Sequence, residues 1–237
     1  MAPKPRKRRR NALLSPAPPR GARQRAALVV ERLRDLYPAA TELSHENPFQ
    51  LLIATILSAQ TTDRSVNLIT PILFGRYPTA LDLAAADPAV VEQIIVPTGF
   101  FRLKTKRIIA TSRVLVDKFG GEVPPRMEDL VLVPGIGRKT ANVILGAGFD
   151  IPGFAVDTHV TRLTNLLGLV RTRVPEKIEA QVTRMVPSPE WTALSLRLIL
   201  HGRRVCIARR PQCEECVLND FCPSSRTRPK RRTSVLS

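Results

Sequence analysis

Leu132-Val133-Pro134-Gly135-Ile136-Gly137-Arg138-Lys139-Thr140 decides the fold, because it reads as a tight turn between two helices. After Pro124-Pro125 a brief helix fits 126–130, and a second helix runs from Arg138 to about Gly146. Gly135 and Gly137 let the backbone turn sharply and meet a ligand with no Cβ in the way. The amides that follow open a helix, where free N–H groups and the positive dipole end favour an anion. Such a turn can hold a phosphate by charge and shape alone.

The rest of the chain reads as helices outward from this turn. Upstream, Asn47 can N-cap a helix with Pro48 at its first position and Phe49, Leu52, Ile53, Ile56 and Leu57 as one apolar stripe. A helix from Asp63 turns Val66, Ile69, Leu73 and Phe74 inward. Short helices fit 81–86 and 88–95, and a longer one, 104–119, stops at Gly120-Gly121. A helix over 25–36 precedes them all. Downstream, helices fit 158–167, 176–186 and 190–201. No convincing strand alternation and no internal repeat appear, so the pattern predicts an all-α protein.

Charge is concentrated at the ends. Of a net +17, nine positive charges and no acid lie in residues 1–25, and five more with no acid in residues 223–237, so 26–222 keeps only +3. Residues 1–24 and 223–237 are expected to be disordered basic tails. Such tails suit a polyanion, since each neutralised phosphate releases counterions; the plainer role is solubility. The absence of a long apolar run excludes a membrane span, and no apolar signal core follows the basic start. That start also fits a targeting peptide or a nuclear signal.

All four cysteines fall in Cys206-x6-Cys213-x2-Cys216-x5-Cys222. Four thiols within so short a stretch of a large chain point to a metal centre rather than a disulfide scaffold, and so to a reducing compartment. Four thiolates suit a [4Fe–4S] cube or a structural zinc, and this spacing leaves both open. Arg209 and Arg210, inside the loop, either touch phosphate or are solvated surface.

Followed by Arg-Lys in a basic protein, the turn at 133–137 resembles the helix-hairpin-helix DNA-binding element. Gly135, Gly137, Arg138 and Thr140 are its candidate DNA contacts. Lys139 can act as a nucleophile only as the free amine. Burial, Arg138 and its own helix N-terminus are expected to depress its pKa, and an adjacent carboxylate to oppose them. Asp157, in Ala155-Val156-Asp157-Thr158-His159, is either a helix N-cap or a carboxylate that stabilises a cationic sugar. His45, His159, His201 and Trp191 read as structural.

The hairpin with Lys139, the Val156-Asp157-Thr158-His159 stretch, Leu200-His201-Gly202 and the cysteine spacing occur in the order of the endonuclease III family. Asn47-Pro48-Phe49 and Ser58-Ala59-Gln60-Thr61-Thr62-Asp63 are similar to it too, so the resemblance spans roughly residues 26–222. It implies two helical lobes: a six-helix unit over 42–152, and 25–41 with 153–222 around a [4Fe–4S] cluster on Cys206, Cys213, Cys216 and Cys222. It implies a monomeric DNA-repair glycosylase and abasic-site lyase in a DNA-containing compartment, cytoplasm or nucleoid for a bacterium, nucleus or organelle for a eukaryote. Double-stranded DNA with damaged bases or abasic sites would be the partner. Lys139 would be the nucleophile and Asp157 its partner, and Gln60, by its place alone an exposed helix-end glutamine, would fill the emptied base stack.

Two positions depart from the family pattern. Phe100, in Thr98-Gly99-Phe100-Phe101, stands where an aliphatic wedge is expected, and is either a bulky wedge or a buried packing residue. Val131 stands where relatives often have an acid, which bears on substrate range and rate. The rival readings are a monofunctional glycosylase, a non-enzymatic damage sensor and an RNA-binding zinc protein.

Overall fold

The computed structural model describes residues 17–227, and within them every regular element is helical. The expectation of basic tails therefore lies, for 1–16 and 228–237, outside the described residues. At 22–24 it is corrected: helix α1 spans Ala22–Arg34 and starts inside the expected arm. Ala22 and Ala26 are buried, and Arg25 donates to the carbonyls of Leu167 and Gly168 at 2.9 and 2.6 Å, so tertiary contacts hold the first turn down.

Helix α2 (Pro48–Leu57) begins as its cap dictates, with the Asn47 side chain accepting from the Gln50 amide at 2.9 Å. Seven of its ten residues are buried, Leu51 and Ala54 as well as the expected stripe. It is a central helix packed by α3 (Asp63–Arg76), α6 (Phe101–Phe119) and α8 (Arg138–Gly148), and a helix enclosed on most sides has no polar face to keep. Each fully buried Leu or Ile there contributes about 1.5–3 kcal/mol of transfer free energy. Helices α4 (Ala80–Ala84), capped by a Thr79–Asp82 box, and α5 (Pro88–Ile95) lie against α6. With α7 (Met127–Leu130), seven helices stand between Pro48 and Gly148 where the resemblance implies six; α7 is a single turn of four residues.

Three further helices, α9 (Thr158–Leu166), α10 (Pro175–Thr183) and α11 (Trp191–Arg204), complete the described fold. Buried apolar residues fall into two clusters, one from Leu43 to Leu145 and one joining Ala26–Tyr37 to Phe154–Leu218. Chain order is thereby folded back: α1 packs on α11, about 160 residues away along the sequence. Contacts of α8 with α11 join the clusters, and there a Cβ on Gly153 would stand 2.7 Å from the Asn142 carbonyl oxygen. Among the described residues no helix is long and apolar enough to cross a membrane.

Candidate nucleic-acid interface and iron–sulfur centre

The hairpin is built as its glycines require. Gly135 takes φ 84°, Ile136 donates to the Val133 carbonyl at 3.1 Å, and Thr111 of α6 holds the Pro134 carbonyl at 2.9 Å. Gly137 is the N-cap of α8 and offers no side chain to its first amides. Gly135, Gly137, Arg138 and Lys139 are exposed, Thr140 half-buried. Arg138 is already engaged: Nε and Nη2 clasp the Glu179 carboxylate of α10 at 2.7 and 2.8 Å, and that pair raises the pKa of the guanidinium.

Lys139 stands at the second position of α8, on a notch of about 90 Å³ lined also by Glu42, Ser58, Asp63, Leu196 and Arg203. The notch thus draws on residues beside both buried clusters. Contrary to the sequence reading, Lys139 is exposed rather than buried, because it lies on the outward face of the first turn of α8, whose inward face is Ala141. Nor does Asp157 touch it: among the described residues no hydrogen bond or ion pair joins the two, and Asp157 lines a different cavity, with Thr161, Arg162 and Arg173. The Asp157 carboxylate instead accepts from the Val160 amide at 2.8 Å as N-cap of α9.

Sequence reading missed the ions around this notch. Arg203 of α11 bridges Glu42 and Asp63 at 3.1 and 3.0 Å, and Arg204 reaches Glu42 at 3.0 Å. Partners some 140–162 residues apart leave no local signal in the sequence. Gln60, just past α2, and Phe100, just before α6, are exposed, Phe100 by 65%, so it is not a buried packing residue. Beneath Phe100 the buried Lys104 donates to the Thr98 carbonyl at 2.7 Å, and burial lowers its pKa. Val131 is exposed beside the hairpin.

The four cysteines are half-buried and line one cavity of about 210 Å³, with Arg209 and Arg210 exposed on the loop nearby. Burial pushes the Cys206 and Cys216 thiols up, and their neighbours among the four raise them further, although Arg162 pulls Cys206 back. Such thiols ionise together only against a multivalent positive centre. Among the described residues no three His, Cys, Asp or Glu groups converge as ligands of one ion do. Four thiols lining one cavity of that size fit the corners of a polynuclear iron–sulfur cluster. His201 is buried, with its pKa lowered to about 4 by burial; His45 and His159 are half-buried. Trp191 is half-buried against the second cluster and donates to the Val186 carbonyl at 2.8 Å.

Residues 53–188 match the model of the HhH-GPD superfamily base excision DNA repair protein, and residues 206–222 that of the iron–sulfur binding domain of endonuclease III. Endonuclease III of Synechocystis sp. is 50% identical over 86% of this chain and 94% of its own length. The chain belongs to the endonuclease III family. The Escherichia coli endonuclease III is 41% identical over 82% of this chain and 92% of its own. A solved trapped covalent intermediate of an endonuclease III with DNA superposes with a TM-score of 0.80 at 39% identity, covering 86% of this chain and 96% of that one. As an endonuclease III family member the protein is an all-α helix-hairpin-helix enzyme of base-excision repair, a DNA glycosylase and abasic-site lyase. It binds DNA and carries a [4Fe–4S] cluster.

Proposed function

We propose that this enzyme excises oxidised pyrimidines from duplex DNA and then cuts the strand through a Schiff base on Lys139. The observation that carries the reading is the exposed lysine at the start of α8, set on a notch with Ser58, Asp63 and Arg203. Extruding the damaged nucleotide costs about a few kcal/mol, least where the base is already damaged. The neutral Nζ attacks C1′, the base leaves with a proton, and the nitrogen becomes an imine to the opened sugar. Loss of a C2′ proton then expels the 3′ phosphate, and water releases the enzyme. Asp157, held by the Val160 amide at the start of α9, would stabilise the cationic sugar in this scheme.

Gly135, Gly137, Arg138 and Thr140 would hold a backbone phosphate, with Arg209 and Arg210 on a second stretch of the duplex. Gln60 and Phe100 would enter the stack emptied by the extruded base. Cys206, Cys213, Cys216 and Cys222 would hold the cluster, whose charge and iron–sulfur bonds supply the order of the 206–222 loop. The two buried clusters would correspond to two lobes, 42–152 and 25–41 with 153–222, acting as a monomer in a reducing compartment. Borohydride trapping on duplexes bearing thymine glycol, other oxidised pyrimidines or an abasic site tests the scheme. A covalent adduct on the oxidised-pyrimidine strand is expected. Base release with no adduct on any duplex would point to a monofunctional glycosylase, and binding without base release to a damage sensor.

A further inference from the structure

His201 touches two of the four cysteines at once. Its backbone carbonyl accepts from the Cys206 amide at 2.8 Å, and its Nε2 lies 3.4 Å from Cys216 Sγ. The other ring nitrogen, Nδ1, is 3.1 Å from the hydroxyl of Tyr37, just beyond the end of α1. Both rings are buried, His201 exposed by 1% and Tyr37 by 5%, and they meet edge-on with centroids 5.9 Å apart. Arg204 covers the Tyr37 ring at 5.8 Å, and Arg197 Nε donates to the Tyr37 carbonyl at 3.2 Å.

Ligation chemistry fixes the direction of this chain of contacts. A cysteine sulfur bound to iron carries no proton, so it can only accept. The contact then requires the proton on Nε2, which leaves Nδ1 of the neutral ring as an acceptor, and the Tyr37 hydroxyl is the donor placed to fill it. Without Tyr37 the ring is free to take the other tautomer and present a lone pair to the sulfur. Hydrogen bonds to cluster sulfurs draw electron density from the iron–sulfur bond and favour the reduced state.

We propose that His201 is a positioning residue for the iron–sulfur cluster: it donates from Nε2 to Cys216 Sγ in the tautomer that Tyr37 selects, so that the segment after α1 sets the reduction potential of the cluster. This rests on Cys216 being a cluster ligand, which Cys216→Ala tests separately by iron content per chain; four irons retained on that variant would overturn the ligand reading and the inference with it.

The test is voltammetry of the full-length, cluster-loaded protein adsorbed on an electrode, the electrode supplying the electron. For His201→Leu the reduced-to-oxidised ratio at a fixed potential should fall about tenfold, which is about 59 mV for a one-electron couple. His201→Gln, which restores an N–H donor, should recover most of that shift. Tyr37→Phe should move the potential in the same direction by less, and should add nothing in a His201→Leu background. Potentials of His201→Leu and Tyr37→Phe equal to the parent's would overturn the proposal, as would a Tyr37→Phe shift that persists without His201. If His201→Leu fails to fold, Tyr37→Phe alone decides, and an unshifted potential there overturns it.

Discussion

Gln60 and Phe100 share a positive backbone φ, 56° and 48°, and both carry it under exposed side chains at loop ends next to helices. Among the described residues Asp150 is the other non-glycine with positive φ. A left-handed residue with a Cβ costs about 1–2 kcal/mol. The proposed stack-filling residues thus sit where the fold accepts strain in order to hold a side chain outward.

Opposite signs for stability and binding should follow from that strain. Gln60→Gly and Phe100→Gly are each expected to leave unfolding free energy unchanged or raise it by up to about 1 kcal/mol, relief of strain being partly offset by a more flexible unfolded chain. Both should weaken binding to abasic duplex. Chemical denaturation beside a fluorescence titration decides it; a clearly lower midpoint would mean that the side chains pack rather than wait for DNA.

Lys139→Ala should abolish strand cleavage and borohydride trapping while leaving affinity for abasic duplex in place, because the side chain is exposed and makes no contact the fold needs. Gel analysis of trapped complexes reads this directly. Lyase activity surviving in the variant would assign the imine to a different amine.

Glu179→Gln removes the carboxylate that occupies Arg138. With the Arg138 side chain 49% exposed, the pair contributes only about 0.2–1 kcal/mol to stability. Freed, Arg138 should gain a phosphate contact, tightening DNA binding at low salt and steepening the log K against log salt plot by about 0.9. An unchanged slope would mean that Arg138 stays clear of the backbone when DNA is bound.

Gly153→Ala places a Cβ 2.7 Å from the Asn142 carbonyl oxygen, where only backbone movement makes room. Thr192 Oγ1 both accepts from the Gly153 amide and donates to its carbonyl at 3.2 Å, so the movement loosens α8 from α11. A loss of about 1–3 kcal/mol is expected. A urea midpoint equal to the parent's would show that this junction yields easily.

Helices were legible wherever a local device sets their ends. Asn47 with Pro48 fixed the start of α2, Pro88 that of α5, and Gly120 the end of α6, all within a residue of the expectation. The start of α1 was not legible, since Arg25 is held by carbonyls of Leu167 and Gly168 more than 140 residues away. The exposure of Lys139 was also hidden, because sequence gives a residue's place on a helix but not what faces it.

By itself the sequence determined the all-α class, the hairpin, the metal-binding cysteines and the chemical types at Lys139 and Asp157, because caps, glycines and thiol spacing act within a few residues. Only the tertiary structure decided that Arg138 is clasped by Glu179, that Arg203 draws Glu42 and Asp63 to the notch of Lys139, and that Tyr37 meets His201 beside Cys216. Apart from His201 and Cys216, those pairings join residues 41 to 164 apart in the chain, and short-range forces carry no information across that distance until packing brings the side chains together.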